Sequence, residues 1–77
     1  MNLKVVSVLD ETLNRLELTR YEVALQSRIR PSTVSDLANN KSKSIKFDTA
    51  AKLIDGIEQL SGERISMNDI LRVTTTN

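Results

Sequence analysis

The 77-residue sequence contains no cysteine and no histidine. This absence excludes disulfide bonds, a zinc site built from Cys and His, and catalysis by a histidine base or a Ser-His-Asp triad. No apolar run approaches the roughly 20 residues of a membrane-spanning helix, and the first residues lack the pattern of a secretory signal. We therefore expect residues 1–77 to form one small cytoplasmic domain, with no cofactor, no membrane partner and no small-molecule substrate.

The charged residues are distributed unevenly along the chain. The net charge is only +1, yet residues 20–46 contain six cations against Glu22 and Asp36, a net charge of +4. Residues 1–19 carry a net charge of −1 and residues 47–77 a net charge of −2. A local excess of positive charge favours a polyanionic partner, so residues 20–46 are the first place to look for a binding site.

The spacing of apolar residues predicts an all-α domain of five short helices. Residues 1–6 are predicted to be an extended lead-in, with a short strand as the alternative, and residues 74–77 a frayed tail. The helices are expected at about 7–16, 19–27, 31–39, 47–60 and 66–73. The predicted core comprises Leu9, Leu13, Leu16, Val23, Ala24, Ile29, Val34, Leu37, Phe47, Leu53, Ile54, Ile57, Ile70 and Leu71.

Local signals predict where several of these helices begin and end. Thr19 and Glu22 have the spacing of a capping box, in which each side chain bonds to a free backbone N–H at the start of a helix. Ser66 and Asp69 have the same spacing before the fifth predicted helix. Gly62 is suited to a left-handed cap at the end of the fourth. Pro31, the only proline, suits the first turn of the third helix.

Four apolar residues around this proline have the spacing of a helix-turn-helix. Ala24 is small enough for a second helix to cross closely, and Ile29 would fill the angle between the two helices. Val34 and Leu37 would attach the second helix to the first and leave its other face free for a DNA groove. The motif is expected at about residues 19–40.

The run 18-LTRYEVALQSRIRPSTVSDLANNK-41, followed by 45-IKFDTAAKLIDGI-57 and 66-SMNDILRV-73, resembles the Cro/C1-type (XRE-like) helix-turn-helix domains. The resemblance covers about residues 7–73. It implies a compact, five-helix, lambda-repressor-like domain that binds operator DNA, commonly as a dimer. The function it implies is that of a Cro-like repressor in the genetic switch of a phage or mobile element.

The predicted site follows from this motif. Arg28 stands where the family usually has glycine, so we expect either a mildly strained left-handed residue or an altered turn. With Val34 and Leu37 directed inward, the opposite face of the second helix provides the candidate contacts to bases: Ser32, Thr33, Ser35, Asp36 and Asn39. The candidate contacts to phosphates flank that helix: Arg20, Arg28, Arg30, Asn40, Lys41, Lys43 and Lys46.

The sequence leaves an alternative function open. Because the outward face carries hydroxyls and an aspartate, and none of the arginine, lysine or glutamine side chains that read bases best, the domain is also interpreted as a protein-binding modulator. Such an antirepressor or antitoxin would pair with another repressor through the same face. We do not expect an enzyme, since the paired acids Asp10 with Glu11 and Glu58 with Glu63 are predicted to lie on solvated faces.

A homodimer or heterodimer is expected in either case, and two apolar segments are candidates for its surface. The first, near the N-terminus, would add a strand across a twofold axis. The candidate residues are Leu3, Val5 and Val6 in the first segment and Met67, Ile70 and Val73 in the second, and both segments could equally belong to the core.

Overall fold

The computed structural model describes residues 2–76, which contain four α-helices and a two-stranded antiparallel sheet. Within this part of the chain, no helix is long and apolar enough to cross a membrane. In chain order the elements are β1 (Asn2–Ser7), α1 (Leu9–Arg15), α2 (Arg20–Ser27), α3 (Pro31–Ala38), α4 (Phe47–Ser61), a 3₁₀ turn (Met67–Asp69) and β2 (Leu71–Thr76).

The prediction of an all-α, five-helix domain is wrong, because the fold mixes helices with a sheet that joins the two ends of the chain. Strand β1 pairs with β2 from Asn2 opposite Thr76 to Ser7 opposite Leu71. The strand that was the alternative for residues 1–6 is therefore present over Asn2–Ser7, while Met1 lies outside the described residues.

The segment 66–73, predicted to be a helix, forms the 3₁₀ turn and the start of β2. Val73, Thr74 and Thr75 are β-branched and pair with Val5, Lys4 and Leu3, so a strand is favoured over a helix. The predicted frayed tail is wrong for residues 74–76, which belong to β2, and Asn77 lies outside the described residues.

The predicted helix boundaries at Thr19 and Gly62 are confirmed. The Thr19 Oγ1 accepts a hydrogen bond from the Glu22 backbone N–H at 3.1 Å, and the Glu22 carboxylate accepts one from the Thr19 N–H at 2.8 Å. Gly62 ends α4 with a φ of 74°, a backbone conformation that favours glycine. The Asp69 carboxylate accepts a hydrogen bond from the Ser66 N–H at 3.0 Å, as its spacing predicted.

The core lies between the helices, and most of its predicted members are buried. Leu16, Ile29, Ile54 and Leu71 are partly buried at its edge. Phe47 is the exception, with 95% of its surface exposed, and its place in the predicted core is wrong. It is the first residue of α4 and stands at the edge of that helix's apolar stripe, whereas Ile45, two residues earlier, packs against the core instead. The buried cluster comprises Leu9, Leu13, Val23, Ala24, Val34, Leu37, Leu53, Ile57, Ile65 and Ile70.

Helices α2 and α4 pack closely where Ser27 meets Gly56. A Cβ atom on Gly56 would stand 2.0 Å from the Ser27 Oγ and 3.0 Å from its Cβ, so only glycine fits there without movement. The Ser27 hydroxyl is buried and finds no hydrogen-bond partner in the described part of the chain. This contact fixes the end of α2, and hence the turn that follows it, against the longest helix of the domain.

Candidate nucleic-acid interface

Helices α2 and α3 form a tight corner joined by three residues. Arg28 has a φ of 58° and reverses the chain at the end of α2, which is the left-handed alternative expected for this position. The Ile29 N–H then donates to the Ala24 carbonyl oxygen at 3.0 Å. Val34 and Leu37 are buried and hold α3 to the rest of the domain, as their spacing predicted.

The opposite face of α3 is open to solvent. Of the five predicted base-contacting residues, Ser32, Thr33, Asp36 and Asn39 are exposed and Ser35 is half-buried. Pro31 occupies the first helical position, so the serine and threonine hydroxyls lie in the first turn of α3. The face is polar but carries no cation, as its sequence indicated.

Five of the predicted phosphate-contacting residues flank this face as exposed cations. Arg28 and Arg30 belong to the turn before α3, and three lysines to the loop after it. Among residues 2–76, none of the five takes part in an ion pair. We call the exposed face of α3 together with these five cations the basic surface. Its cations are Arg28, Arg30, Lys41, Lys43 and Lys46.

Arg20 differs from these five cations because its guanidinium is already bound within the domain. Its Nε donates to Asp10 Oδ1 at 2.9 Å, its Nη2 donates to Asp10 Oδ2, and the same Nη2 donates to Asn39 Oδ1 at 2.9 Å. The hydrogen bonds from Arg20, helped by its charge, hold the pKa of Asp10 below its ordinary value. Arg20, a predicted phosphate contact, is thus hydrogen-bonded to Asn39, a predicted base contact. Arg20 is also bonded to Asp10 on α1.

Asp10 was expected on a solvated face; its side chain is 45% exposed there, but it also pairs with Arg20, which was not expected. The pairing of Asp10 with Arg20 joins the first turn of α1 to the first residue of α2, so no helical spacing in the sequence signals it. Two of the other acids expected on solvated faces, Glu63 and Glu58, are also engaged. Glu63 pairs with Arg15 at 3.3 Å, and the Glu58 carboxylate accepts from the Ile65 N–H at 2.9 Å.

Asn40 has a structural role that the sequence did not reveal. Its backbone is left-handed, with a φ of 61°, and its side-chain oxygen accepts a hydrogen bond from the Ser7 N–H at 2.7 Å. The carboxamide oxygen therefore connects the end of α3 to β1, while the Nδ2 amide group, the donor that a phosphate oxygen needs, takes no part in this bond. Asparagine tolerates this conformation better than most residues, which is the only local signal for the arrangement.

A shallow open groove of about 280 Å³ separates α3 from the basic loop. Thr33 and Leu37 line it on α3, Thr49 lines it on α4, and the loop contributes Ser42, Ser44, Ile45 and Lys46. Its polar wall therefore offers hydroxyl groups, which both donate and accept hydrogen bonds. Within residues 2–76, no group of three or more acidic side chains is placed to hold a metal ion.

No protein-family model matches this chain, and no curated protein or solved structure matches it.

Proposed function

We propose that the protein is a cytoplasmic DNA-binding transcriptional regulator that occupies operator DNA through α3. One observation carries the proposal: five exposed cations, none with an ion-pair partner among residues 2–76, flank the free face of a helix that its neighbour holds at a tight corner. The resemblance of residues 7–73 to Cro/C1-type domains supports the same function. Residues 66–73, which the resemblance assigns to a helix, form the 3₁₀ turn and the start of β2, but α2, the turn and α3, which would make the proposed contacts, are as expected.

In the proposed complex, α3 enters the major groove and the flanking cations contact phosphates on either side. Salt-dependent phosphate contacts then supply most of the affinity. Ser32 and Thr33 in the first turn of α3 would contact base edges or a thymine methyl group, and Asp36 would accept from a cytosine amino group. Because hydroxyl groups discriminate poorly among bases, we expect modest sequence preference from each half-site. Repression would follow by exclusion of other proteins from the occupied promoter.

Fluorescence anisotropy of a labelled duplex over a series of salt concentrations tests the proposal. If all five cations of the basic surface contact phosphates, the logarithm of the association constant falls with the logarithm of salt concentration with a slope of about −4.5. A slope near zero would contradict the proposal. Competition with a scrambled duplex measures how much of the affinity depends on sequence.

A matched pair of variants locates the binding surface. Lys43→Ser removes one cation from the basic surface and should make the slope less negative by about 0.9. Arg64→Ser removes an equal charge from an exposed residue outside that surface and should leave the slope nearly unchanged. Equal changes in slope for the two variants would show that DNA binding depends only on the net charge of the protein.

A protein-binding modulator is the second candidate function, and Asp36 is the observation that favours it. This aspartate lies exposed on α3 and has no ion-pair partner within the described chain. Its negative charge repels phosphate and would attract a cationic protein surface. If the protein regulates by binding DNA, Asp36→Ala should strengthen binding to a scrambled duplex, where the carboxylate only repels phosphate, and should reduce the preference for sites that offer a cytosine amino group. If it acts by pairing with another repressor, the same change should weaken a specific protein complex and leave DNA affinity unchanged.

A further inference from the structure

A second groove, of about 200 Å³, lies between the sheet and the basic loop, residues 41–46. Because Ser7 pairs with Leu71, and side chains two residues apart on a strand share a face, Val5, Ser7 and Leu71 lie on one face of the sheet. All three line this groove, and the loop and the end of α3 contribute its other residues. We call it the sheet–loop groove. It is distinct from the groove between α3 and the loop, although some loop residues line both.

Four apolar side chains line the sheet–loop groove, and they come from three parts of the fold. Val5 and Leu71 belong to the sheet, Leu37 belongs to α3, and Ile45 belongs to the loop. Val5 is 59% exposed and does not pack against the core cluster, so apolar surface stays open to solvent here. A ligand with an apolar body would cover this surface, whereas a phosphate group would lose hydration beside it and gain no hydrogen bond from it.

The polar groups around these side chains favour an anion. Lys43 lines the groove, is exposed and has no ion-pair partner among residues 2–76. The hydroxyls of Ser42 and Ser44 are further donors, as is the Asn40 Nδ2 group, which takes no part in the bond from Ser7. None of the described residues that line the groove is acidic. One cation and several donors beside an apolar surface therefore suit a carboxylate that carries an apolar chain.

The volume of the groove limits the size of this ligand. About 200 Å³ is less than the roughly 300–1,000 Å³ of sites for drug-sized ligands, so a chain of about six carbons is a suitable size. The loop can adjust to such a ligand, because no backbone hydrogen bond or ion pair holds residues 42–45 within the part of the chain that the structure describes. Ile45, which packs against the core, is also one of the residues that the ligand would contact.

We propose that the sheet–loop groove binds a small amphipathic carboxylate, a monocarboxylic acid of about six carbons, and that the bound ligand weakens DNA binding. The apolar chain lies against the four apolar side chains, and the carboxylate pairs with Lys43. Lys43 also belongs to the basic surface, so a carboxylate that neutralises it removes one contact to DNA phosphate. Binding of the ligand is independent of the proposed function, and only its effect on DNA rests on that function.

NMR titration of the full chain with hexanoate, without DNA and at constant ionic strength, tests the ligand site. Hexanoate should cause saturable shifts of the N–H signals of Ser42, Lys43 and Leu71, with a dissociation constant of about 1 mM. Hexylamine has the same chain with the opposite charge, and acetate has the same charge without the chain. Each of these two should bind at least about tenfold more weakly. Absence of a saturable shift up to about 20 mM hexanoate, or equal affinity for either control compound, would overturn the proposal.

Two pairs of matched variants locate the bound ligand. Val5→Thr replaces a methyl group in the groove with a hydroxyl and should weaken hexanoate binding about threefold. Val73→Thr makes the same change on the same face of the sheet, at a residue that does not line the groove, and should have little effect. Lys43→Ser should weaken binding about fivefold, whereas Lys4→Ser removes an equal charge from the opposite face of the sheet and should not. Circular dichroism checks that all four variants fold. Equal losses within either pair would refute the site.

Fluorescence anisotropy measures the effect of the ligand on DNA binding separately. With about 20 mM hexanoate, the salt slope of the native chain should become less negative by about 0.9, and the slope of Lys43→Ser should not change further. Acetate at the same concentration is the control for the added anion. If hexanoate binds but leaves the native slope unchanged, the effect on DNA is refuted while the ligand site stands. A chain that binds no DNA refutes the proposed function instead, and the NMR titration still decides whether the ligand site exists.

Discussion

Arg28 is the residue at which the backbone of the α2–α3 corner is strained. Its φ of 58° is costly for a side chain with a Cβ atom, and glycine adopts this conformation freely. Arg28→Gly should therefore increase the free energy of unfolding by about 1 kcal/mol, measured by urea denaturation. The same variant should weaken DNA binding, because it removes one cation from the basic surface.

Arg28→Ala separates these two effects. Alanine removes the same charge and keeps the Cβ atom, so it should weaken DNA binding as Arg28→Gly does but leave the strain in place. Equal stability of the glycine and alanine variants would show that the left-handed backbone at this position costs nothing. Arginine at this position thus makes the turn less stable than glycine would, but it places a cation beside α3.

At the level of elements, the parts of the fold that could be predicted are those determined by residues close together in sequence. The Thr19–Glu22 capping box and the left-handed cap at Gly62 each depend on a few neighbouring positions. Strand β2 could not be predicted in this way, because it forms by pairing with residues at the opposite end of the chain. Ile70 and Leu71 fit a helix or a strand equally well in so short a run.

The candidate site, too, could be predicted only where it depends on residues that are close together in the sequence. The exposed face of α3 and its flanking cations follow from the inward positions of Val34 and Leu37, which helical spacing gives. The pairing of Arg20 with Asp10 and the bond from Ser7 to Asn40 depend on tertiary packing, which brings separate elements together. Consequently, which cations of the candidate site lack ion-pair partners among residues 2–76 could be learned only from the fold.

The contact between α2 and α4 depends on the absence of a side chain at Gly56. Gly56→Ala would place a Cβ atom 2.0 Å from the Ser27 Oγ and force the helices apart. We expect this variant to lose about 1–2 kcal/mol of stability in urea denaturation, even though alanine favours the helical conformation. Ser27→Gly removes the atoms nearest to the new Cβ and should restore part of the loss.

Gly62→Ala provides the control for this contact. Nothing lies within 4 Å of a Cβ atom there, and the cost of the substitution arises from the left-handed backbone alone, at a φ of 74°. Gly62→Ala should therefore reduce stability by about 1 kcal/mol whether residue 27 is serine or glycine. A Ser27→Gly change that rescues both alanine variants equally, or neither, would contradict a direct contact between Ser27 and Gly56.

At the scale of the whole molecule, Arg20 connects three helices through Asp10 on α1 and Asn39 after α3. The hydrogen bonds from Arg20 lower the pKa of Asp10, so the pair contributes stability above the ordinary aspartate pKa of about 3.9. That contribution is lost as the pH falls through the lowered pKa of the folded state. Urea midpoints measured between about pH 6 and pH 2 should therefore fall less steeply for Asp10→Asn than for the native chain.

The same variant tests whether Asp10 limits the charge available for DNA. Asp10→Asn removes the carboxylate on α1 that holds the Arg20 guanidinium, and under the proposed function a sixth cation then becomes available to phosphate. The salt dependence of DNA binding should steepen by about 0.9 in slope. Glu11→Gln removes an equal negative charge from the same turn of α1, but Glu11 is not a partner of Arg20 within the described chain. If both variants steepen the slope equally, the cause is net charge; if only Asp10→Asn does so, the fold itself holds one DNA-binding cation in reserve.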